Sequence, residues 1–272
     1  AINISYLSEE VINFARSIKG IMCNMSALNL LETKLTMAEQ LGFAISIEIS
    51  SAFFEINPYK KTDSFFSLNI SRLKNDFQTD WNGVRDVALR HQNVEFFYPY
   101  DEPYFNAYRA KVPFSLMKSH LEAIGSTIKR DFPNKKLVFV EAYPIVKNSI
   151  PNVDKFFPDM TMSFPGMEKS FEIPQQYDYV GMDCYGSFDN CEGLSIPSYY
   201  EILEKNMASH QKFILIPGIF GTDSKSNDEN WQQDVIMTST RYIEYSRLNQ
   251  RVEAIGFFLF NTPFDNALNL EN

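Results

Sequence analysis

Asp101 and Glu102 stand side by side in FFYPYDEPYF (96–105), directly after an apolar run and directly before a proline. Two adjacent carboxyls resist double ionisation, so one keeps its proton near neutral pH and can serve as a general acid beside an ionised partner. Other apolar runs close in a similar way: FAISI on Glu48, KLVFV on Glu141 and Tyr143, YDYVGM on Asp183 and Tyr185, and EAIGFFLF on Asn261. KFILIPGIF offers no carboxylate and ends on Phe220. Carboxylates that accept hydrogen bonds from hydroxyls, aromatic faces for stacking and no basic counterpart suit an uncharged, hydroxyl-rich ligand. Sugars fit that description, and two carboxyls supply the acid and base chemistry of glycoside cleavage. The expected catalytic set is Glu102 as general acid/base, Asp101 as its partner, Asp183 and Tyr185. Tyr100, Tyr104, Glu141, Tyr143, Phe220 and Asn261 are the expected substrate contacts.

These residues meet only if the runs they close lie in parallel. Eight runs read as strands: 2–6, 20–26, 43–50, 93–100, 136–143, 177–185, 212–220 and 253–261. Between them lie segments with helical spacing. Residues 8–19 follow the N-cap candidate Ser8, 28–41 carry Leu28, Leu31, Leu35 and Ala38 and stop at Gly42, and Phe114, Met117, Leu121, Ile124 and Ile128 mark a third apolar face. Alternating strands and helices predict a parallel sheet, and nearly all-apolar strands must be covered on both faces. The expected fold is α/β: a single (β/α)8 TIM barrel over 1–272, with long loops at 51–64, 144–172, 186–198 and 221–231 on the face where the strands end. A doubly wound open sheet is the alternative.

Other functions lack their parts. With 34 Asp and Glu against 25 Lys and Arg, a net charge of −9 and no basic run, the chain offers no footprint for nucleic acid. No apolar stretch approaches the roughly 18–20 residues of a membrane span. His91, His120 and His210 fall in predicted helices or just before a strand, on the wrong side of a barrel for catalysis, and are expected to be solvated, so neither a histidine metal site nor a Ser-His-Asp triad is indicated. Gly218-Ile219-Phe220-Gly221 is too short for a phosphate loop, and no cofactor is expected. Cys23, Cys184 and Cys191 allow either one local bridge, Cys184 to Cys191, or three free thiols. The acidic balance, the carbohydrate reading and the initial Ala lean towards a secreted or periplasmic protein.

The same residues also allow blander roles. An Asp-Glu pair after a strand can open a loop, with Pro103 as a first-turn residue of the next helix. Asp183 can cap a helix, Glu141 can pair with Lys147, and Glu48 can point outward. Two rivals follow: a catalytically inactive barrel that binds glycans or a protein, and an enzyme holding a divalent metal on Glu48, Asp101, Glu141 and Asp183.

Together, YPYDEP, YDYVGMDCYG and EAIGFFLFN resemble the glycoside-hydrolase-like (β/α)8 barrels. In the large retaining clan of these barrels the acid/base Glu ends strand 4, which Glu102 matches. The nucleophile Glu ends strand 7, where this chain has Ile216-Pro217-Gly218-Ile219. The N-acetylhexosaminidase-type barrels instead carry adjacent Asp-Glu after strand 4 and use the substrate's 2-acetamido group as nucleophile. That resemblance implies Glu102 as acid, Asp101 orienting the acetamido group and Tyr185 holding its oxygen, with no need of a strand 7 Glu.

Overall fold

The computed structural model describes residues 21–24, 28–56, 70–151, 166–218 and 231–256. In chain order the elements are β1 (Ile21–Asn24), α1 (Leu28–Gln40), β2 (Ile45–Glu48), α2 (Ser50–Phe53), β3 (Phe54–Ile56), β4 (Ile70–Leu73), α3 (Gln78–Ala88) and β5 (Val94–Tyr98). There follow α4 (Pro103–Ala110), α5 (Phe114–Asp131), β6 (Lys136–Ala142), α6 (Tyr143–Asn148), β7 (Tyr179–Asp183), α7 (Ile196–Glu204), β8 (Lys212–Leu215), α8 (Trp231–Leu248) and β9 (Val252–Ile255).

Seven strands form one parallel sheet in the order β1-β2-β5-β6-β7-β8-β9, which curls into part of a barrel. Consecutive order with a helical segment between most neighbours is the βα rhythm expected from the sequence. The expected strand at 2–6 and helix at 8–19 lie outside the described residues, and no pairing that closes the ring occurs among the described ones. One correction concerns 51–64, expected as a plain loop. Its first residues form α2 and β3, and β3 pairs antiparallel with β4. Phe53 and Phe54 anchor this excursion: Phe53 packs against Phe77 and Trp81, and Phe54 against Tyr100.

The period-2 alternation of the strands separates two apolar layers. Ile45, Ile47, Phe97, Leu137, Phe139, Val180, Met182, Phe213 and Leu215 face the helices and join the main core with Leu31, Leu35, Trp81, Leu121 and Ile124. Residues of opposite parity, Tyr98, Val138, Val140, Tyr179, Ile214 and Ile216, form a separate cluster on the other face. Gly181 belongs to that second face. A Cβ there would come within 2.8 Å of both Ile214 Cγ2 and Ile214 O, so β7 carries no side chain where it lies close to β8.

Two histidines differ from expectation. His91 and His120 are buried, not solvated. His91 places Nδ1 3.1 Å from Glu39 Oε2 and Nε2 3.2 Å from Glu32 Oε1, tying α1 to the end of α3. His120 Nε2 lies 2.9 Å from Phe53 O, with the ring edge-on to Phe54 and Phe77. Polar partners inside the helix layer explain their burial. His210 is exposed, as expected.

Candidate active site

The parallel register brings the closing residues together. Glu48 pairs with Tyr98 across β2 and β5, Ala142 pairs with Asp183 across β6 and β7, and Asp101 forms a lone parallel bridge with Val140 just beyond the end of β5. Asp183 bridges Ile216 in turn. Side-chain parity then decides which carboxyls share the inner face. Asp183 follows Tyr179 and Gly181 onto it, and Tyr98, also inward, donates its hydroxyl to Asp101 Oδ1. Tyr185 donates to Asp183 Oδ2 at 2.9 Å, while Asp183 Oδ1 is buried without a hydrogen-bond partner among the described residues.

Glu102 owes its position to the backbone. Its φ of 46° and ψ of 56° place it in the left-handed region, which a residue with a Cβ enters only at a cost. Pro103 follows at the first position of α4, as its reading as a first-turn residue expected. The Glu102 N–H donates to Val140 O at 3.2 Å, which ties the turn to β6.

The electrostatics follow from crowding. Burial and the neighbouring Asp101 push the Glu102 carboxyl up to about 8, and Arg109 opposes them. Burial raises Asp101, against the hydrogen bond from Tyr98. Burial, then Asp101 and Glu102, hold Asp183 well above the usual carboxylate range. Glu48 is raised chiefly by burial, with the Ser50 hydroxyl lowering it and Asp101 raising it. Asp101 thus acts on three other carboxyls, and near neutral pH the group holds protons that isolated carboxyls would have lost. Among the described residues no cluster of His, Cys, Asp and Glu has a geometry that would hold a metal ion.

This crowding has a stability consequence. A carboxyl raised in the folded state favours folding below its unfolded value of about 4.5, and that contribution is lost as pH climbs towards 8. Wild-type stability is expected to fall by on the order of 3 kcal/mol more than that of Glu102→Gln between pH 5 and pH 8. Urea unfolding of both proteins at the two pH values measures the difference; parallel curves would show that Glu102 titrates normally.

Several expected substrate contacts lie elsewhere. Glu141 has the parity of Leu137 and Phe139, so it faces the helix layer and is fully buried. Its carboxylate accepts hydrogen bonds from the N–H groups of Tyr104 (2.8 Å), Phe105 (3.1 Å) and Ala142 (2.9 Å), anchoring the first turn of α4. Lys147, offered as its ion-pair partner, instead donates to Glu192 O. Tyr104 is fully buried among Phe114, Phe139 and Phe171, with its hydroxyl donating to Glu172 O at 2.5 Å. Tyr100 is buried against Phe54 at a ring separation of 4.2 Å. These rings present no open stacking face.

Tyr143 begins α6, partly buried and edge-on to Tyr199, and burial pushes its hydroxyl up to about 12. Tyr185 is 39% exposed, an accessible aromatic beside the carboxyls. Phe220 and Asn261 lie outside the described residues. Sequence reasoning did not single out Tyr98, which donates to Asp101, or Asn106, whose side-chain amide donates to the backbone carbonyls of Asp101 and Glu102. The alternation Phe96, Tyr98 on one face could have revealed Tyr98; no sequence signal marked Asn106.

Cys184 and Cys191 form a disulfide with Cα atoms 6.1 Å apart, closing a loop that contains Tyr185. Both cysteines are buried, and the Gly186 N–H donates to Cys191 Sγ at 3.1 Å. Replacing both by Ser is expected to cost about 2 kcal/mol in urea unfolding, as is reduction of the wild type. A wild type indifferent to reductant would rule out that contribution.

No family model matches the sequence, and no curated protein matches it. Solved structures do match its fold. A β-D-glucuronidase from Dictyoglomus thermophilum has a TM-score of 0.51 and 15% identity, covering 91% of this chain and 39% of that one. A glucosidase from Croceicoccus marinus has a TM-score of 0.52 and 12% identity, covering 91% and 54%. A psychrophilic family 10 endo-β-1,4-xylanase has a TM-score of 0.51 and 10% identity, covering 94% and 82%. The described residues share the curled parallel α/β sheet of these glycoside-hydrolase barrels. The chain spans less than two thirds of the glucuronidase and of the glucosidase, and at these identities the likeness carries the fold and no activity.

Among the described residues no helix is long and apolar enough to cross a membrane. The described residues also form an open pocket of about 470 Å³ at the corner between α4 and α5, lined by Tyr108, Arg109, Lys111 and Glu168 among others. None of the clustered carboxyls lines it. That corner carries a single carboxyl, Glu168, beside Arg109 and Lys111, and no pair of carboxyls.

Proposed function

We propose that this chain is a glycosidase of the (β/α)8 type, in which Glu102 acts as general acid/base and Asp101 as its partner. The observation that carries this reading is the gathering of Asp101, Glu102 and Asp183 where β5 and β7 end, with Glu102 aimed by a left-handed turn. A carboxyl raised to about 8 is protonated at neutral pH and can donate to a departing sugar oxygen. Asp101, held by Tyr98, supplies a fixed acceptor, either to orient an acetamido group or to stabilise positive charge at the anomeric carbon. Asp183 and Tyr185 hold each other beside it. The glycosidase fold of the structural neighbours supports a carbohydrate as the substrate.

The substrate-assisted form of the mechanism is preferred because the end of β8 carries the buried apolar Ile216 where a retaining barrel would carry its nucleophile. The same observation favours the second reading, a barrel that binds glycans without cleaving them. A panel of chromogenic glycosides, including N-acetylglucosaminide and N-acetylgalactosaminide, tested with Glu102→Gln alongside, separates the two. Release from the N-acetyl sugars alone, absent in the variant, supports substrate assistance. Glycan binding with no product after long incubation supports the binding module.

A further inference from the structure

We infer that Asn106 is a positioning residue that holds Glu102 in its left-handed backbone and so aims the acid at the substrate; this rests on the reading of Glu102 as the acid. The Asn106 side-chain amide donates 3.0 Å hydrogen bonds to the backbone carbonyls of both Asp101 and Glu102. Its own N–H donates to Glu102 O at 2.9 Å, so the Glu102 carbonyl receives two donors from one residue. Asn106 is only 6% exposed and lies inside α4. A buried Asn in a helix interior is locally unfavourable, and an apolar residue would pack at least as well beside Ala107. What Asn adds is a forked donor that fixes two successive carbonyls across a strained turn.

The clamp works with Glu141. Glu141 grips the amides of Tyr104 and Phe105, while Asn106 grips the carbonyls of Asp101 and Glu102, so the turn is held from both sides. Without the amide, nothing else described bonds the Asp101 carbonyl, and Glu102 can relax to a commoner backbone conformation with its carboxyl turned towards water.

The test compares Asn106→Leu, nearly isosteric and uncharged, with Asn106→Ser, which keeps a single donor. Three quantities are read: kcat and KM on any cleaved glycoside, the Glu102 titration by carboxyl 13C NMR, and the unfolding midpoint. Asn106→Leu is expected to lower kcat ~100-fold with KM changed less than about threefold. The Glu102 titration should move down from about 8 towards the ordinary range, with Asn106→Ser intermediate in both readouts. A lowered unfolding midpoint with kcat and the titration unchanged would reduce Asn106 to a structural residue and overturn the inference. If the wild type cleaves no glycoside, the glycosidase reading fails, and the Glu102 titration still decides whether Asn106 sets that carboxyl's environment. Should Asn106→Leu not fold, Asn106→Ser carries the comparison.

Discussion

Glu102→Gln is expected to abolish glycoside hydrolysis, with kcat down by at least ~1,000-fold and KM little changed, while the protein remains folded. General acid catalysis contributes roughly 100- to 10,000-fold, and an amide at this position cannot deliver the proton. The upper part of that range applies because burial and Asp101 keep the wild-type carboxyl protonated up to about pH 8, which is what an acid working near neutrality requires. The variant also removes a charge from the most crowded part of the sheet, so it should be more stable than the wild type at alkaline pH. Loss of activity with gain of stability is the signature of a site whose charges are held together for chemistry. A wild-type alkaline limb near pH 8, absent from whatever activity remains in the variant, would assign that limb to the carboxyl cluster. Unchanged turnover in Glu102→Gln would remove Glu102 from the mechanism.

Glu141→Leu is expected to destabilise the fold by about 3 kcal/mol. The variant leaves the buried N–H groups of Tyr104, Phe105 and Ala142 without their acceptor, and each orphaned donor costs about 1–3 kcal/mol before relaxation. Burial pushes the Glu141 carboxyl well up while these three donors oppose that rise, and two of them open α4, so the side chain serves as an anchor for the helix. Urea unfolding measures the loss. A substrate-contacting Glu141 would behave differently, raising KM in Glu141→Gln with no change in the unfolding midpoint. Because the same anchor sets the turn that carries Glu102, activity in Glu141→Leu should fall together with stability, unlike the pattern expected of Glu102→Gln.

The strands that survived from sequence to structure are those whose apolar runs are long and bounded by polar residues. KLVFVEAY became β6 over Lys136–Ala142 almost unchanged. Phe114, Met117, Leu121, Ile124 and Ile128 all reached the core from one face of α5. The βα rhythm was legible because both periodicities are local. The hairpin of β3 and β4 was not, since its strands are short and pair across intervening chain that gives no local signal.

The candidate site divides along the same physical line. From sequence alone came the acidic residues that close apolar runs and the adjacency of Asp101 and Glu102, because composition and spacing are properties of the chain itself. Tertiary structure decided which of those carboxyls face one another. A single step in strand parity sends Asp183 inward and Glu141 outward, and whether a closing residue continues the strand's alternation depends on where pairing stops. The left-handed turn at Glu102 and the amide that holds it were equally invisible, since they depend on Asn106 folding back in a helix that Glu141 has anchored from the neighbouring strand. Residue types and their order along the chain determined the chemistry available, and the register between strands distant in sequence determined which of it is assembled.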